Sequence, residues 1–193
     1  GCNNVAREVV SARPILSRER RSGLNTPAYL TSVYGAQMLI AILQMSIIVG
    51  FVWIFVRPTS NIMLPFVISL LTSSVGISTG LLISSSARSE VSAISTVPIV
   101  LIPQLLLGGY IKIYGRLQLD TFQHMAADCM PIRWSFEALT TVEYAKVREY
   151  NTSLHNIGST IGFENGVGLP CTVLLSMTVL LLIGSWFQLR RSL

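Results

Sequence analysis

Four long runs of the sequence carry no charged side chain, and this feature constrains the fold more than any other. They are Tyr34–Val56, Ile62–Ala87, Val91–Ile111 and Leu169–Leu189. Each has about the 20 residues that an α-helix needs to cross roughly 30 Å of hydrocarbon. Only 12% of the residues are charged, whereas about a quarter are charged in a typical soluble domain. The sequence therefore predicts an all-α membrane protein with four transmembrane helices.

The basic residues predict how these helices are oriented. Arginines are concentrated before the first run, at Arg88 between the second and third runs, and at Arg190 and Arg191 after the fourth. Cytoplasmic segments carry an excess of Lys and Arg, so these three segments are expected in the cytoplasm. The chain then divides into a cytoplasmic approach to the membrane (1–33), three transmembrane helices (34–111), an extracytoplasmic segment (112–168), and a last transmembrane helix with a basic tail (169–193).

Two further helices are predicted outside the runs. Near the start of the chain, apolar residues recur every three or four positions among arginines: Val5, Val9, Ala12 and Leu16. This pattern is typical of a basic amphipathic helix, which Pro14 could break. A lipid surface and a cytoplasmic protein partner would both suit it. In the extracytoplasmic segment, apolar residues at the same spacing follow Pro131, which predicts a short helix on the membrane surface or over the ends of the spans.

Polar residues inside the runs are all uncharged. The runs contain no Asp, Glu, Lys, Arg or His, and such residues are the usual mark of a proton or ion relay in a membrane. Proton-driven transport is therefore disfavoured. Gln44 and Gln104 are the best candidates for a translocation path, because a primary amide at membrane depth needs a partner or water. Hydrogen bonding between helices is the alternative explanation for each.

Small residues recur at every fourth position of the second run. They are Thr72, Gly76, Gly80 and Ser84. Such a stripe allows two helices to approach closely, either within one chain or between the chains of a dimer.

No catalytic or metal site is predicted. Asp120, His124, Asp128 and Cys129 lie near one another in the sequence, but their spacing matches no set of metal ligands. Nucleic-acid binding is also disfavoured, because the basic residues lie at the edges of apolar runs rather than on one soluble face.

Four motifs resemble, in their order, the type-2 membrane domain of ATP-binding-cassette (ABC) exporters, especially white/G-subfamily-like half-transporters and their bacterial relatives. They are Ala6-Arg7-Glu8 with Ser17-Arg18-Glu19-Arg20 and Tyr29-Leu30; Gly80-Leu81-Leu82-Ile83-Ser84; Pro98 with Pro103-Gln104-Leu105-Leu106-Leu107-Gly108-Gly109; and Arg133-Trp134-Ser135-Phe136-Glu137-Ala138-Leu139. The resemblance implies the C-terminal portion of such a transporter: its last four spans, preceded by a cytoplasmic connecting helix.

The resemblance implies a permease in the bacterial inner membrane, in contact with membrane lipid. It would form the substrate path of an ATP-driven exporter as a homo- or heterodimer. An ABC ATPase domain, fused upstream or separate, would bind ATP and Mg²⁺. Arg18, Glu19 and Arg20 are then the residues expected to couple the permease to that domain. A non-transport membrane assembly or scaffold subunit is the alternative, and a membrane-embedded enzyme is a third possibility.

Overall fold

The structure, a computed structural model, describes residues 2–21, 25–56, 61–108, 121–150 and 166–192. All regular secondary structure in these ranges is α-helical. The helices are α1 (Cys2–Arg21), α2 (Thr26–Val56), α3 (Met63–Ser86), α4 (Glu90–Leu107), α5 (Thr121–Asp128), α6 (Pro131–Tyr150) and α7 (Gly168–Ser192).

Four of these helices, α2, α3, α4 and α7, are long and apolar enough to cross a membrane. This result confirms the predicted all-α membrane fold with four spans. α2 begins at Thr26 rather than Tyr34, because the intervening residues are also uncharged and Pro27 suits the first turn of a helix. α4 ends at Leu107, and residues 109–111 of the predicted third span lie outside the described ranges.

The described chain forms two compact units. The first comprises Gly1–Leu43, Ser73–Leu101 and Ser176–Leu193. The second comprises Gln44–Thr72 and Ile102–Leu175.

In the first unit, α1 packs against other helices on two faces. One face meets α2, α3 and α7 in a buried cluster of Val5, Val9, Leu16, Leu30, Ala41, Ile77, Leu81 and Leu189. The other meets the end of α3 and the start of α4 in a second cluster of Ala6, Val10, Ile83, Ala87, Ala93 and Val97. The helix continues through Pro14 without a break, because contacts on both sides of this residue hold it in place. These two faces are covered by the chain's own helices and are not offered to lipid.

α1 and α3 approach each other closely at Gly80. A Cβ atom at this position would lie 2.7 Å from the backbone oxygen of Cys2 and 3.0 Å from Cβ of Val5. Real Cβ atoms do not come so close to backbone atoms, so a side chain of any size at residue 80 would push α1 away. The small residue predicted from the stripe is therefore required at this position.

In the second unit, α6 packs along α3. Ile68 of α3 lies in a buried cluster with Ala138 and Val142 of α6, and Thr72 Oγ1 is hydrogen-bonded to Ser135 Oγ at 2.7 Å. Thr72 is nine residues beyond the start of α3, which is about 14 Å along the helix axis.

The placement of α6 on the membrane surface or over the ends of the spans stays a prediction. Within the second unit, its apolar face packs against α3. α6 begins at Pro131, as predicted, but reaches Tyr150, because no Gly or Pro interrupts it after that first proline.

We predict that Gly80→Ala lowers the stability of the protein and that Gly76→Ala does not. The first change crowds the α1–α3 contact, at a cost of about 1–3 kcal/mol. A Cβ at Gly76 would meet nothing within 4 Å, so only the helix propensity of alanine, up to about 1 kcal/mol in its favour, acts there. Thermal unfolding of the two variants in detergent measures the difference, and equal unfolding temperatures would contradict the role of Gly80.

Candidate functional site

The junction between α1 and α3 is held by polar contacts as well as by its apolar clusters. The buried Ser84 Oγ accepts hydrogen bonds from the backbone N–H groups of Val9 and Val10, both at 3.1 Å. Arg13 Nη2 donates to the backbone oxygen of Ser85 at 2.8 Å. That carbonyl lies in the last turn of α3, where the helix itself supplies no donor and a cation is favoured by the helix dipole. The first unit therefore joins α1 to α3 through both packing and hydrogen bonds.

The four positions of the small-residue stripe do not share one neighbour. Gly80 and Ser84 contact α1, and their spacing of four residues places them on one face of α3. Thr72 is bonded to Ser135 of α6. Gly76 has open space beside it. The close approach at Gly80 is thus made within one chain.

The unpacked face of α1 is charged. Arg7, Glu8 and Arg18 are all exposed, and Arg18 follows the buried Leu16 by only two residues. Of the predicted coupling residues, only Arg18 has a described side chain; those of Glu19 and Arg20 lie outside the described residues. α1 therefore has one side bonded to α3 and another that presents charges to solvent.

The two glutamines proposed for a translocation path belong to the second unit. Gln44 is exposed on α2, and Gln104 is half-buried on α4. Contact with lipid tails would leave a primary amide without hydrogen bonds. A surface covered by protein or water remains the expected environment for Gln44.

A buried ion pair on α6 was missed by the sequence prediction. Arg133 is 6% exposed and Glu137 is fully buried. Arg133 Nη2 lies 3.5 Å from Glu137 Oε2, and Arg133 Nη1 lies 2.6 Å from Asp128 Oδ1. The guanidinium also lies 4.2 Å from the ring centroid of Trp134, whose Nε1 donates to the backbone oxygen of Asp128 at 2.7 Å.

The sequence did contain a signal for this pair. Arg133 and Glu137 are four residues apart, so a helix places them on one face. The two residues lie outside the four uncharged runs, in a segment that the sequence predicts outside the membrane. Because Ser135 contacts Thr72 of α3, the pair lies beside a transmembrane helix, where ionisable residues are costly and usually functional.

The structure describes all three cysteines and part of the Asp120–Cys129 group. The three cysteines are free thiols, and burial raises the pKa of the Cys2 thiol above its ordinary value. Among the residues that the structure describes, no three His, Cys, Asp or Glu side chains are placed to hold a metal ion. Asp120 and the side chain of His124 lie outside that set.

Comparison with known proteins identifies one family. A profile of the family described as "ABC-2 type transporter" matches residues 1–144. The match includes the α1–α3 junction and the Arg133–Glu137 pair. No curated protein shows significant similarity to the chain.

We predict that Arg133→Met alone destabilises the protein by about 3–5 kcal/mol, because it leaves the Glu137 carboxylate buried without this counter-charge. The double variant Arg133→Met/Glu137→Leu should recover most of the loss, since an apolar pair of similar volume needs no desolvation of charge. Thermal unfolding of the single and double variants in detergent is the measurement. A double variant that is less stable than the single one would show that the two charges do not compensate each other.

Proposed function

The chain belongs to the ABC-2 type transporter family, and from this premise we propose that it is the permease part of an ATP-driven exporter of the white/G-like kind. Family membership and four membrane-spanning helices make it an integral membrane component of an ABC transporter. The proposal adds that the helices form an export path and that an ABC ATPase domain drives it. It also places the protein in the bacterial inner membrane.

The two-sided character of α1 carries the proposal. On one side, Ser84 and Ser85 of α3 are hydrogen-bonded to α1. On the other, Arg7, Glu8 and Arg18 are exposed. A helix that is bonded to a span and presents charges to a partner can transmit a rigid-body movement from that partner to the span. Complementary charges orient such an interface without requiring strong binding.

We assign the coupling role to Arg18, Glu19 and Arg20. When the ATPase domains close around ATP and Mg²⁺, nucleotide binding and hydrolysis supply the free energy. The residues of this chain then orient α1 on the partner and move it together with the end of α3. The basic residues of α1 favour a cytoplasmic position for this end of the protein.

The substrate path is proposed to lie between two copies, or between this chain and a related one. Gln44 and Gln104 would line it, because an amide can bind a polar substrate group or water that a lipid tail cannot replace.

We predict that Glu19→Ala leaves the protein folded and uncouples ATP hydrolysis from export. Removal of one interfacial charge weakens the orientation of α1 on the ATPase domain. Transport and ATPase rates should be measured together in proteoliposomes. Arg191→Ala is a matched control, because it removes an exposed charge from the end of α7. Unchanged transport by Glu19→Ala would refute the coupling role.

The complete native complex should contain ATPase domains and show vanadate-sensitive ATP hydrolysis. Native mass spectrometry after extraction in mild detergent gives its composition, and an ATPase assay on the same sample gives its activity. A dimer with two ATPase domains is the expected result. A complex that neither contains nor recruits an ATPase would instead support the scaffold subunit.

A further inference from the structure

Arg13 connects α1 to the end of α3 through its side chain. Its Nη2 donates to the backbone oxygen of Ser85 at 2.8 Å, one residue before α3 ends. The buried Nε of Arg13 has no hydrogen-bond acceptor among the described residues, and a buried donor without an acceptor lowers stability. An apolar side chain at this position would avoid that cost. The presence of a guanidinium here is therefore not explained by stability alone.

This bond lies at the opposite end of the α1–α3 junction from Gly80. Gly80 meets α1 at Cys2 and Val5, and Arg13 follows Val5 by eight residues, which is about 12 Å along the helix. The apolar packing between these points has no directional preference. Ser84, which lies between them, accepts from backbone N–H groups that the α1 helix also uses internally. A helix held at one close contact can pivot there, whereas a second contact at this separation fixes its direction.

A short turn, residues 87–89, joins the end of α3 to the start of α4. The backbone N–H of Ala87 donates to the backbone oxygen of Ile83 in α3 at 2.9 Å. Ser89 Oγ accepts from the backbone N–H of Ser92 in α4 at 3.2 Å. The α3–α4 turn is thus bonded to both helices, so a displacement of the end of α3 also moves the start of α4.

We propose that Arg13 is a positioning residue that passes movement of α1 to the α3–α4 turn. It has this role on the premise of the proposed function, in which an ATPase domain moves α1. Arg18, Glu19 and Arg20 then contact the partner, whereas Arg13 acts on the side of the membrane spans. Its hydrogen bond to Ser85 makes α1 and the turn move as one body.

Hydrogen–deuterium exchange of the native complex in lipid nanodiscs tests this role without a transported substrate. Exchange is measured by peptide mass spectrometry in the nucleotide-free complex and in the complex trapped with ATP, Mg²⁺ and vanadate. The fold-change on trapping is recorded separately for α1 and for the α3–α4 turn. In the wild type, both segments should change.

Arg13→Met keeps an unbranched side chain but cannot donate to Ser85. It should retain the change in α1 and reduce that of the turn at least about threefold, as the loss of one hydrogen bond allows. Arg13→Lys still carries a charged donor and should restore most of the change at the turn. Arg7→Met, which removes an exposed arginine of the same helix, should leave the two changes in the wild-type proportion.

Two results would overturn the role of Arg13, and they differ in what they say about the exporter. A change that reaches the turn undiminished in Arg13→Met would show that the hydrogen bond is purely structural, with the coupling by α1 intact. A wild-type α1 that does not respond to trapping would refute the exporter proposal and the role of Arg13 with it. Should Arg13→Met fail to assemble, Arg13→Gln, whose amide nitrogen ends two bonds short of Nη2, is judged by the same outcomes.

Discussion

Close contact between two helices requires small side chains at the point of approach, and the first unit depends on this requirement at Gly80. The backbone of α1 comes so close to α3 that no Cβ fits between them. Only at this distance can Ser84, one turn further along α3, accept hydrogen bonds from backbone groups of α1. The two apolar clusters of the unit, with residues from α2, α4 and α7, are then arranged around α1. A larger residue at position 80 would disturb both clusters.

Hydroxyl side chains also join α3 to neighbouring helices, through hydrogen bonds. Ser74 Oγ is hydrogen-bonded to Thr178 of α7 at 2.8 Å, inside the first unit. Thr72 is bonded to Ser135 of α6, inside the second. Apolar packing alone does not distinguish one lipid-facing surface from another in a membrane, whereas a hydrogen bond has a defined partner and direction. These contacts therefore determine which helix lies beside α3 at each level.

The spans could be predicted from the sequence because an apolar run of more than 20 residues without charge is typical of a helix that crosses a membrane. The start of α6 at Pro131 was predictable for a similar reason, since proline suits the first turn of a helix. The position of α6 was not predictable, because its apolar spacing suits a membrane surface and a neighbouring helix equally well. For the same reason the Arg133–Glu137 pair was overlooked. Whether small residues such as Gly80 face their own chain or another copy depends on tertiary contacts that local pattern does not contain.

The burial of α6 along α3 has a consequence for biogenesis. A helix that contains Arg133, Glu137 and Glu143 is a poor substrate for direct membrane insertion, because each charge costs roughly 2.5–3.5 kcal/mol at the bilayer centre. We therefore expect α6 to insert poorly by itself. Its contacts with Ile68, Thr72 and Gly108 can form only when α3 and α4 are present. The order of synthesis, with these two spans first, is also the order in which the protein can assemble.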